Sequence, residues 1–123
     1  MERVNYPRYR QAVYDAVRGL ASREYRDSKW RRVIDDSYED FMSAIDELYD
    51  GTAVFPNPST AVGSAIFANE IAPFLDMYTS VEAMLSDLGE GPWDYDVDVS
   101  RWHEVERTAG VVARLMARNG GLD

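Results

Sequence analysis

Apolar residues recur at helical spacing in several stretches of this chain, with clusters of Gly, Pro, Ser and Asn between them. Asn5, Tyr6 and Pro7 predict a helix start, with Pro near the first helical position. Tyr9, Ala12, Val13, Ala16, Val17 and Leu20 then form a narrow apolar stripe, and the helix is expected to end between Leu20 and Ser22. Arg8, Arg10, Asp15 and Arg18 fall off that stripe. Ser22 is the expected cap of a second, shorter helix over 23–33, thin in apolar residues apart from Tyr25, Trp30, Val33 and Ile34. Trp30, among Lys29, Arg31 and Arg32, reads as an aromatic anchor with cationic stems on its ring.

Ser37 is the expected N-cap of a third helix over 38–50. Glu39 and Asp40 fall in its first turn, Phe41, Ile45, Leu48 and Tyr49 on one face, and Gly51 ends it. Pro56 and Pro58 pin a loop, and Ser59 or Thr60 caps a short helical turn within 61–68. Asn69 then introduces the clearest helix, with the stripe Ile71, Phe74, Leu75, Tyr78, Val81, Leu85 and Leu88 and a stop at Gly89. After a loop over 89–99, Asp98 or Ser100 caps the last helix, 101–118, which carries Trp102, Val105, Ala109, Val112, Leu115 and Met116 on one face. No segment alternates convincingly like a strand. The predicted fold is all-α: a single domain over 1–123, an irregular bundle of four main helices plus one or two short ones.

Charge changes the picture. Between Arg32 and Arg101 there is no Lys or Arg, and those 68 positions hold 15 of the 22 acidic residues. The stretch has a formal charge of −15 within a net charge of −9, so the two ends together carry +6. Such segregation bears on partners and solubility, not on fold. It argues against nucleic acid and against anionic membranes, both of which demand a basic footprint. It favours a basic protein partner. The chain has no Cys, which excludes disulfides and thiolate metal sites, and a single His, His103. No apolar run approaches a membrane span, and Met1 to Pro7 lacks the apolar core of a secretory signal, so a cytoplasmic location is expected.

No catalytic or cofactor motif survives inspection, and no cofactor is expected. Asp94, Asp96 and Asp98 begin like a calcium loop, but Val99 and Val105 stand where that loop needs Gly and Glu. Asp35-Asp36-x-x-Glu39 lacks a second metal motif. Glu47-x-x-Asp50 is spaced to face one side of a helix, but its upstream mate, Asp36-x-x-Glu39, is too near to lie on a separate helix. His103 falls beside the stripe of Trp102 and reads as a partly buried structural residue. What remains is acid interleaved with aromatic: Tyr38 and Tyr49 beside helix three, and Trp93, Tyr95 and Trp102 around the 94–98 loop. Aromatics supply contact area and carboxylates steer a basic partner.

The whole chain resembles a loosely defined family of small, uncharacterised, acidic helical proteins from Streptomyces and related actinobacteria. The shared features are Tyr9-Arg10 with Ala12-Val13, Leu20-x-Ser22, Tyr38 ahead of Ala44-Ile45-x-x-Leu48, Val62-Gly63, and a last helix introduced by Trp102. The resemblance implies no activity and no functional residue. The organisation is also similar to that of bacterial immunity proteins in general. The expectation is a non-enzymatic binding protein of immunity or antitoxin type that covers the cleft of a basic toxin such as a nuclease. Asp35, Asp36, Glu39, Asp40, Glu47, Asp94, Asp96 and Asp98 form its acidic surface, and Tyr38, Trp93 and Tyr95 its anchors. The alternatives are a small magnesium- or manganese-dependent hydrolase using helix-three carboxylates, and a self-associating structural protein. The sequence does not fix the oligomeric state.

Overall fold

The computed structural model describes residues 3–91, 93 and 97–122. Helix α1 spans Pro7–Ala21, with Pro at its first turn where a missing N–H costs nothing. Ser22 turns extended, closes α1, and caps α2 (Arg23–Lys29) by accepting from the Tyr25 N–H at 3.1 Å. A two-stranded hairpin follows, β1 (Val33–Ile34) and β2 (Ser37–Tyr38), antiparallel with Val33 opposite Tyr38. Helix α3 (Phe41–Asp46) runs into a π-helical turn over Glu47–Gly51. Short 3-10 turns at Pro58–Ala61 and Ala68–Glu70 lead into α4 (Ile71–Leu88), and a third at Val99–Arg101 precedes α5 (His103–Asn119). Gly89 and Gly120, at φ of +81° and +75°, end α4 and α5 in a backbone conformation that Cβ-bearing residues disfavour.

The fold is the expected all-helical one. Helices α1 and α5 form the central pair, α4 packs on α5, and α2 and α3 pack on α1. Val13, Val17 and Leu20 of α1, Phe74 and Val81 of α4, and Val112 and Met116 of α5, all on the predicted stripes, are fully buried, whereas α4 also buries Met77 and Met84 and leaves the predicted Leu75 exposed. Each such side chain contributes roughly 1.5–3 kcal/mol. Tyr9, expected on the α1 stripe, is exposed. Trp30 is a core residue, 5% exposed. Its ring lies so close to Gly19 that a Cβ there would sit 2.6 Å from it.

Four expectations need correction. The second helix ends at Lys29, and residues to Val33 do not continue it, because Arg31 takes φ +63° and its N–H goes to the Glu39 carbonyl at 2.7 Å. The third helix starts at Phe41, not 38. Its N-cap is Asp40, whose carboxylate accepts from the Ser43 N–H at 2.8 Å while the Ser43 hydroxyl accepts from the Asp40 N–H at 2.8 Å. Ser37 lies in β2 and donates to the Ile34 carbonyl instead. His103 is exposed, since it begins α5 before that helix reaches its packing partners.

Arg10, which falls off the predicted stripe, is fully buried. It forms a two-pronged ion pair with Glu70, 2.7 Å at each prong, and donates to the carbonyls of Ala65, Met116 and Gly120. Glu70 also accepts from the Phe67 N–H and the Asn119 amide. Three segments are thereby fixed to one guanidinium. Arg26 acts similarly between α2 and α5, donating to the Gly19 carbonyl and pairing with Glu106 at 2.7 Å.

Candidate functional site

The Lys/Arg-free stretch finds almost no cation in the fold. Among the described residues, Glu70 is the one acid of that stretch held in an ion pair. Of the N-terminal arginines, Arg18, Arg23 and Arg26 are engaged with acids outside that stretch, Asp15, Asp27 and Glu106. The acidity of the middle is therefore presented outward.

Part of it converges. The inner side of the hairpin, α1 and the start of α3 enclose an open groove of about 250 Å³. Asp15, Tyr38, Glu39 and Glu47 line it, with Ala12, Ala16 and Ala44 as its floor. Small alanines on both helices leave the room. Asp15 accepts from Arg18 at 2.6 Å and from Gln11 at 3.0 Å. Glu39 accepts from the Tyr25 hydroxyl at 2.8 Å. Burial is the first cause that raises the Tyr25 pKa and the hydrogen bond to Glu39 the second, so the phenol stays a donor. Glu47 has no ion-pair partner among the described residues, and burial pushes its carboxyl above the ordinary Glu range. The π-helical turn sets its position: the Thr52 N–H and hydroxyl both donate to the Glu47 carbonyl at 2.9 Å.

The other predicted residues lie elsewhere. Asp35 and Asp36 form the exposed tip of the hairpin, at φ of +50° and +64°. The Asp35-Asp36-x-x-Glu39 spacing thus belongs to a turn and a strand, not to a helix. Asp40 is used as a cap. Trp93 is half-buried, packs edge-on against Phe41 at 6.3 Å and donates to the Gly89 carbonyl at 2.8 Å. It closes over the core at the start of α3. Asp98 caps the 3-10 turn before α5, accepting from the Ser100 N–H at 3.2 Å, and its hydroxyl partner is also Ser100. Those hydrogen bonds, with Arg23 and Arg26 nearby, hold its pKa low. It shares a second groove with Arg23, Arg26, Trp30 and Arg31, so its charge is locally compensated. Asp94, Tyr95 and Asp96 lie outside the described residues.

Glu47 and Asp50 do not face one side of a helix: Glu47 lines the groove and Asp50 is exposed away from it. Among the described residues no group of three or more His, Asp or Glu side chains is placed to hold a metal ion. No helix among them is long and apolar enough to cross a membrane. Asp15 is the groove residue that the sequence pattern missed. Its signal was its position one turn after Ala12 and beside Ala16, small residues that leave a helix face open.

A family model described as a domain of unknown function (DUF7945) matches residues 4–123. No curated protein and no solved structure matches the chain.

Proposed function

The chain belongs to that family, and we propose that it is a non-enzymatic acidic binding protein, of immunity or antitoxin type, that neutralises a basic toxin such as a nuclease. The observation that carries the reading is the groove lined by Asp15, Glu39 and Glu47 in a molecule where, among the described residues, Glu70 is the one acid of the Lys/Arg-free stretch held in an ion pair. A Lys or Arg side chain of the partner would enter it, with Tyr38 as the aromatic wall and the hairpin tip steering the approach. Carboxylates there imitate the phosphates that a nuclease cleft is built to hold. A cytoplasmic location suits this role.

The test is coexpression with basic toxin domains encoded beside its gene. Growth rescue is expected with the wild-type chain. Rescue should be lost with Glu39→Lys combined with Glu47→Lys, while helical circular dichroism is retained. Rescue that survives this double reversal sinks the groove assignment, and absence of any interacting basic protein sinks the reading itself.

A further inference from the structure

We propose that the open edge of β1 docks a second copy of this chain, two hairpins pairing antiparallel through Val33. The sheet has two strands. The β2 residues line the groove against α1 and α3 and those of β1 do not, so β1 is the outer strand. Val33, 76% exposed, stands out further than any other large apolar side chain described.

The turn fixes which main-chain groups are on offer. Asp35 and Asp36 make a two-residue turn closed by Ile34 and Ser37. In such a hairpin the pair flanking the turn exchanges hydrogen bonds and the next pair does not. The N–H and C=O of Val33 therefore point away from β2, and they meet no other main-chain partner among the described residues. A two-fold axis perpendicular to the sheet sets Val33 opposite Val33 of the second copy. The two exchange both hydrogen bonds, and their side chains lie together on one face.

Charge selects this pairing. The segment reads Arg31-Arg32-Val33-Ile34-Asp35-Asp36, two cations, two apolar residues and two anions. With Val33 opposite Val33, Arg31 of each copy comes opposite Asp35 of the other, one such pair at each end, while Arg32 comes opposite Ile34. An edge bearing one sign would repel its own copy, which is how exposed edges are commonly blunted. This one attracts. The contact is far smaller than the roughly 1,000 Å² of a stable complex, and the net charge of −9 opposes it. The dimer is therefore weak, reversible and salt-sensitive. It uses the outer edge of the hairpin and stands independently of the groove.

Sedimentation velocity on the full chain at low ionic strength tests it. The average mass should rise towards the dimer with concentration and fall back on adding salt. Arg31→Glu with Arg32→Glu makes the edge wholly acidic, and Asp35→Arg with Asp36→Arg makes it wholly basic. Each variant alone should be monomeric, and an equimolar mixture should regain association. Asp35→Asn with Asp36→Asn, which tolerates the positive φ, should lose it too. A wild-type chain that stays monomeric at every concentration in low salt overturns the proposal. So does a mixture that stays monomeric, or association that the variants leave unchanged. If a charge variant loses its helical circular dichroism, the wild-type salt series decides alone. Toxin rescue by the Arg31→Glu with Arg32→Glu variant, which leaves the groove and the hairpin tip intact, would be unaffected, so the two readings fail separately.

Discussion

Glu47 shows how one residue carries both a cost and a use. Glu47 lines the groove, its carboxylate lies against Gly51 without an ion-pair partner among the described residues, and burial raises its pKa. A group whose folded pKa exceeds its unfolded value contributes stability below the unfolded pKa and loses it as pH rises through the folded pKa. At neutral pH the charged Glu47 therefore works against the fold. Glu47→Gln is expected to stabilise the protein near pH 7 and to have little effect below about pH 4, where both states are protonated. Urea unfolding at the two pH values checks this, and equal effects at both would contradict the burial account. A cation docked in the groove would remove the same cost, so a residue selected only for stability would not need this charge. Arg10 teaches a different residue-scale lesson. It falls off the predicted apolar stripe, yet it stands at helical spacing from Val13, Val17 and Leu20 and is buried with them. The buried carboxylate that makes it tolerable, Glu70, lies 60 positions away.

At the scale of elements, helical periodicity located α1, α4 and α5 to within a few residues, because each buries a long stripe against neighbours. The 30–51 region was misread for local reasons. Asp-Asp is a weaker turn signal than Asn-Gly or Asp-Gly, yet both residues take positive φ here. A hairpin with two-residue strands is too short to show alternation. The sequence pattern assigns the start of α3 to Ser37 with Asp40 in the first turn, and the reciprocal bonds with Ser43 make Asp40 the cap instead. Asp40→Ala should cost about 1 kcal/mol, whereas Ser37→Ala, whose exposed hydroxyl meets only a nearby carbonyl, should stay within about 0.5 kcal/mol of wild type. Thermal or urea unfolding of both variants measures the difference. A larger loss at Ser37 would return the cap to it.

For the whole molecule, the decisive fact is where the arginines go. Arg10 and Arg26 are drawn into the interior, and Arg18 and Arg26 pair with acids outside the Lys/Arg-free stretch while Arg10 pairs with Glu70. The Arg10–Glu70 pair binds α1 to the entry of α4 and the end of α5. Removing one partner of a buried pair leaves the other charge unpaired in a medium of low polarity. Arg10→Met is expected to cost about 3–5 kcal/mol, read as a shift of the urea midpoint. A loss under about 1 kcal/mol would show that water reaches Glu70 in its place.

The sequence by itself determined the all-helical class, most of the core positions of α1 and α5, the helix stop at Gly89, and the unequal distribution of charge. These rest on local spacing and composition, which a chain carries before it folds. Tertiary structure alone decided which acids share a surface. It set Asp15, Glu39 and Glu47 around one groove, gave Asp98 its arginines, assigned Asp40 to capping and folded Trp93 over the core. Such groupings depend on contacts between distant segments, and no one-dimensional period encodes them.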